Sequence, residues 1–104
     1  MPKFFLAYKG GSQPETPEAG QAMMDEWNQW IADMGPKMPV PGDPFGKSYT
    51  VTAEGATLGA GPMPLMGYSV IEVDTLEEAL EIAQNCPFMK MKGAQIELAQ
   101  LMAM

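Results

Sequence analysis

Two short stretches of this chain, Lys3 to Tyr8 and Tyr68 to Val73, are apolar at odd and even positions alike, with Ser69 and Glu72 the exceptions in the second. Side chains alternate across a strand, so such a segment needs cover on both faces, and both stretches read as central strands of a sheet. Asp74-Thr75 ends the second strand and opens a helix, with Thr75 and Glu78 at capping-box spacing and Glu77 and Glu81 near its positive end. Leu76, Ala79, Leu80 and Ala83 fall at helical spacing, which predicts an apolar stripe laid back on the sheet. Pro87 closes this unit by biasing Cys86 away from helical geometry.

The earlier half repeats the pattern. After Gly10-Gly11, Thr16 caps a helix with Pro17 at its first position. Met23, Trp27, Trp30 and Met34 form its stripe, widened by Met24 and Ile31, and Gly35-Pro36 stops it. Residues 36–47 hold four prolines and two glycines and read as an ordered surface loop, the rim of a cleft. Residues 48–52 and 56–59 read as a hairpin turning at Glu54-Gly55, and residues 93–98 as a last strand. The order is strand, helix, short hairpin, strand, helix, strand over a single domain, 1–104. That is an α+β, ferredoxin-like split βαβ arrangement: an antiparallel sheet with two helices on one face, of the dimeric α+β-barrel type. One helix layer covers one parity of each central strand. The other parity makes a patch too apolar to leave in water, so a homodimer through the sheet face is expected.

Composition narrows the partners. The net charge is −7, from thirteen carboxylates against six lysines, with no arginine and no histidine. Such a chain lacks the groups that neutralise phosphate and read bases, so neither nucleic acid nor an anionic membrane surface is expected as a partner. One cysteine rules out an internal disulfide and a cysteine-built zinc site. The first apolar run is too short for a secretion signal core, and no segment has the length of a membrane span, so a cytoplasmic location is expected.

Phe4-Phe-Leu-Ala-Tyr8 at the start, Gly67-Tyr-Ser-Val-Ile-Glu72 with its helix, and Cys86-Pro87-Phe88 before a closing strand together resemble the YCII-related, or DGPF-domain, family across essentially the whole chain. The resemblance implies a ferredoxin-like fold that dimerises through its sheet, and small-molecule chemistry based on a histidine and an aspartate. This chain departs from the family at those residues. Met24 stands where the first helix often carries histidine, three residues before the aromatic Trp27. Ala60-Gly61-Pro62-Met63 stands at the eponymous motif, without its acid or its phenylalanine. Cys86-Pro87-Phe88 replaces an Asp-Pro-Phe. The fold carries over; the histidine–aspartate chemistry does not.

Without histidine, a general base near neutral pH would have to be a carboxylate of raised pKa. Glu72, inside an apolar strand, is one candidate, against the plainer reading that it pairs with a lysine. Asp43 is another, against a plain turn role in Gly42-Asp43-Pro44. With Phe45, Tyr49 and Tyr68 they form the candidate ligand-binding set, in a cleft between the proline-rich loop, Tyr49 and the sheet. Cys86 follows a helix C-terminus, where the dipole disfavours a thiolate, and reads as a buried structural residue. The eleven methionines read as adaptable packing rather than copper(I) ligands, and Gly59-x-Gly61 lacks the context of a dinucleotide loop. No metal and no cofactor are expected. Two readings follow: a dimeric module that binds a small organic ligand, or a small lyase or isomerase using a carboxylate and a tyrosine.

Overall fold

The computed structural model describes residues 2–12, 14–59 and 64–102. Strand β1 (Lys3–Gly10) leads to helix α1 (Pro17–Met34), a 3₁₀ turn (Gly35–Lys37) and the proline-rich segment. The hairpin β2 (Tyr49–Thr52) and β3 (Gly55–Leu58) follows, then β4 (Leu65–Glu72), α2 (Leu76–Gln84), a second 3₁₀ turn (Pro87–Lys90) and β5 (Ala94–Gln100). The position of Ala60–Met63, where the family motif would fall, lies outside the described residues.

The main sheet has the order β4-β1-β5, antiparallel throughout, with Phe4 opposite Ile71 and Leu6 opposite both Ser69 and Leu98. Both helices cover the parity that carries Phe4, Leu6, Tyr8 and Ile71. Trp27, Trp30, Ile31 and Met34 come down from α1, and Ala79, Ile82 and Ala83 from α2. The fold is α+β and ferredoxin-like, with two helices on one face of an antiparallel sheet. The Cα extents of 44 × 41 × 18 Å leave depth for one sheet and one helix layer only. Both helix starts are capped as their sequences require: Ala19 N–H donates to Thr16 Oγ1 at 3.0 Å, and Glu78 N–H to Thr75 Oγ1 at 3.1 Å.

Three features differ from the sequence expectation. The stretch from Tyr68 to Val73, expected in the sheet centre, belongs up to Glu72 to an edge strand, β4, whose two apolar parities face the helix layer on one side and the open sheet face on the other. Leu76 and Leu80 stay 47% and 46% exposed, and the contact line of α2 is Ala79 and Ala83, both buried. Periodicity gives the angular width of a stripe but not its centre, and two alanines let the helix come closer to the sheet than two leucines would. The hairpin also stands outside the main sheet, turning at Ala53-Glu54 with Gly55 already in β3, and all eight of its strand residues are exposed. The edge of β4 is occupied instead by the proline-rich segment, through antiparallel bridges at Val40–Val70 and Pro44–Gly67. Prolines withhold the N–H groups a continuous ladder needs, so this segment pairs at isolated points.

Those points are close-fitting. Val70 N–H donates to the Val40 carbonyl at 2.8 Å, and Phe45 N–H to that of Met66 at 2.9 Å. Gly42, at φ +83°, lies against β4 so tightly that a Cβ there would stand 1.6 Å from the Tyr68 carbonyl oxygen. Between them Ser69, fully buried, donates to the Pro41 carbonyl at 2.6 Å and accepts from the Tyr8 hydroxyl at 2.7 Å. Ser69→Ala strands the buried Tyr8 donor and removes the partner of the part-buried Pro41 carbonyl, and is expected to lower unfolding free energy by about 2 kcal/mol. Tyr8→Phe keeps the Ser69–Pro41 bond and should cost about 1 kcal/mol. Urea titration of the two variants checks this ranking.

Candidate functional site

The tie between β4 and the proline-rich segment holds open a cavity of about 590 Å³. Its floor is the end of the sheet, where Tyr8, Met66 and Gly67 meet beside a register shift between Tyr8 and Lys9. One wall is the first half of α1, from Gly20 to Trp27; the opposite wall is residues 41–44, and Phe88 and Met91 close the third side. The volume lies in the range of pockets that enclose drug-sized molecules.

The lining is mainly apolar. Trp27 meets the Tyr8 ring edge-on at 5.2 Å between centroids, and Phe88 meets it from another side at 5.1 Å. Met23, Met24, Met66 and Met91 contribute four thioether side chains, which adapt to irregular shapes at little cost. The charged residues on its lining are Asp43 and Glu26, and Lys90 Nζ lies 2.7 Å from the Glu26 carboxylate.

Beneath the floor sit two neutral acids. Burial pushes the Tyr8 phenol well above its ordinary value, opposed by its hydrogen bond with Ser69, while nearby Cys86 adds to the rise. Burial likewise pushes the Cys86 thiol up from 9.0 to about 11, against the lowering effect of the Phe88 backbone and the Tyr8 hydroxyl. Neither supplies an anion near neutral pH.

The structure separates the five sequence candidates. Asp43 lines the cavity, and so does Tyr68, whose carbonyl faces Gly42. The Tyr68 ring lies on the opposite sheet face, where it stacks between Phe45, at 5.7 Å, and Phe5, at 6.1 Å. Tyr49 stands on the hairpin, 60% exposed, outside the cavity lining. Glu72 shares the open sheet face with Lys3, 3.9 Å away. The expected cleft walled by Tyr49 is therefore replaced by one walled by α1. Gly20 and the methionines were missed by sequence reasoning; a glycine inside a helix, on the same side as Met23, Met24 and Trp27, was the available signal.

No protein-family model matches the chain, and no curated protein matches it. Among solved structures, the chain is similar to 5-chloro-2-hydroxyhydroquinone dehydrochlorinase from Burkholderia phenoliruptrix, in complex with 2,5-dihydroxybenzoquinone. The identity is 21% over 90% of each chain, with a TM-score of 0.45. Among the described residues, no helix is long and apolar enough to cross a membrane, and no three histidine, cysteine, aspartate or glutamate side chains gather as metal ligands.

The Cys86 environment gives a pH signature. A thiol whose pKa is raised on folding contributes stability that is complete below its unfolded value of 9.0 and is lost as pH rises toward about 11. Between pH 9 and 10 the unfolding free energy should fall with a slope of up to about 1.4 kcal/mol per pH unit. Cys86→Ala, less stable overall, should be flatter there. Native protein should react slowly with a thiol reagent and urea-unfolded protein fast; rapid native labelling would contradict the buried, neutral thiol.

Proposed function

We propose that this protein is a homodimeric small-molecule-binding module of the YCII-related type, whose ligand occupies the cavity between α1 and residues 41–44. The observation that carries the reading is the cavity itself. A space of about 590 Å³ survives in a domain of 104 residues, walled by a segment that glycine and serine contacts pin in place. The space is a cleft partly open to solvent, with a mainly apolar lining and a few polar groups, the usual form of a small-molecule site. Pinned walls also mean that little ordering cost is incurred when a ligand enters.

The alternative, a lyase or isomerase using a carboxylate and a tyrosine, has less support. The tyrosine whose ring lies on the cavity side is Tyr8, and its hydroxyl is buried with its proton already given to Ser69. Glu72 belongs to the other face. Asp43 would have to act with a phenol that is buried, neutral and already hydrogen-bonded to Ser69.

The dimer reading rests on that other face. It carries Phe5, Ala7, Tyr68 and Val70, joined by Phe45, with the Lys3–Glu72 and Lys9–Glu97 ion pairs at its margins. A two-fold axis lets this patch cover its own copy, at about 25 cal/mol per Å² of apolar area removed from water.

Two measurements test the proposal. Native mass spectrometry of the purified protein reports subunit number and any retained ligand together. Twice the chain mass is expected, and Val70→Asp should give monomer or aggregate; a well-behaved monomer of the unmodified protein at micromolar concentration would remove the dimer. For the cavity, Gly20→Leu is the diagnostic change. A Cβ at Gly20 meets only Pro14, at 3.8 Å, and leucine is about 1 kcal/mol better than glycine inside a helix. The variant should keep or gain stability and lose ligand binding by at least tenfold.

A further inference from the structure

The charged groups at the cavity are of one sign. Asp43 and Glu26 line it, and no lysine does. Glu26 is engaged by Lys90 at 2.7 Å, whereas Asp43 takes part in none of the four ion pairs among the described residues. The chain has no arginine to reach in, and its net charge of −7 deepens the negative potential of any concave surface. The neutral part of the lining favours the same sign. Trp27 and Phe88 are each tilted against the Tyr8 ring rather than stacked flat on it, at 78° and 52°. Tyr8 and Phe88 are buried in this contact, so Trp27, half-buried on the lining, is the ring with surface to spare for a ligand, and an aromatic face attracts a cation. The methionine sulfurs present further polarisable, electron-rich surface.

We propose that the cavity selects organic cations: primary or substituted amines with an aromatic or branched aliphatic body of about ten heavy atoms, the ammonium held near Asp43 and the body among Trp27, Phe88 and the methionines. The proposal rests on the small-molecule-binding reading above and specifies its ligand class. A carboxylate or phosphate ester of the same size is disfavoured, because the lining offers it Asp43, unpaired among the described residues, and the Lys90 ammonium beside the lining is already held by Glu26.

Three probes of matched shape and different charge decide the matter: 2-phenylethylamine, 2-phenylethanol and 3-phenylpropionate. Each is titrated calorimetrically into the intact protein at neutral pH and low ionic strength, and into the Gly20→Leu and Asp43→Asn variants. The expected order is amine, then alcohol, then carboxylate, with the amine at least tenfold tighter than the alcohol. Asp43→Asn should bring the amine-to-alcohol ratio within about twofold. Raising the salt concentration should weaken the amine more than the alcohol.

The failures separate cleanly. If the alcohol binds and Gly20→Leu removes it, but the amine shows no preference or Asp43→Asn leaves the preference intact, the cavity is a ligand site and the cation assignment is overturned. If none of the three binds, the cavity reading itself falls and the cation assignment falls with it.

Discussion

The hydroxyl of Ser69 is the smallest group in the domain on which most depends. It lies at 0% exposure in the middle of β4, where an unpartnered polar atom would cost several kcal/mol. It has partners on both sides. Its proton goes to the Pro41 carbonyl and its oxygen receives the proton of Tyr8, so one atom joins the central strand, its neighbour and the irregular segment at the sheet edge. The segment thus bound cannot pair by a regular ladder, because its prolines lack donors. The serine supplies the contact that regular pairing would have given, and the cavity wall stands on it.

Much of this frame was legible. Of the two strands expected to be central, β1 does lie between β4 and β5, whereas β4 is an edge strand whose outer side meets the proline-rich segment at isolated bridges. The threonine caps, the proline at the start of α1 and the glycine at its end each have a local cause and sit where that cause places them. What escaped has a physical origin. The contact line of α2 depends on how near the helix can approach, a property of the packed pair rather than of the stripe. The edge role of the proline-rich segment had two signals, Gly67 within a strand and Ser69 within an apolar run, which mark close backbone approach and a buried partner. Each looks like a lapse in a pattern until its partner is known.

The candidate site was less legible, because the proline-rich segment is irregular and no period fixes which way its residues turn. Asp43 and Phe45 are two residues apart, a spacing that a regular strand would put on one face, yet one lines the cavity and the other stacks on Tyr68 across the sheet. Tyr68 itself serves both faces: its carbonyl abuts Gly42 behind the cavity wall, and its ring sits at the centre of the open aromatic row. A set chosen by residue type in one neighbourhood was bound to be divided between the two faces.

The exposed hairpin has a consequence for how the molecule comes apart. Among the described residues its pairing joins only β2 to β3, and its strand residues are exposed, with Tyr49, Val51 and Leu58 at 60%, 74% and 62%. A lone two-stranded ribbon is marginal by itself. Its amides should therefore exchange with solvent through brief local openings that leave the three-stranded sheet intact, orders of magnitude faster than those of β1. A protease would find its first cut there, and an inserted tag or graft at Ala53-Glu54 would be carried by an element whose melting is uncoupled from the cavity and its walls.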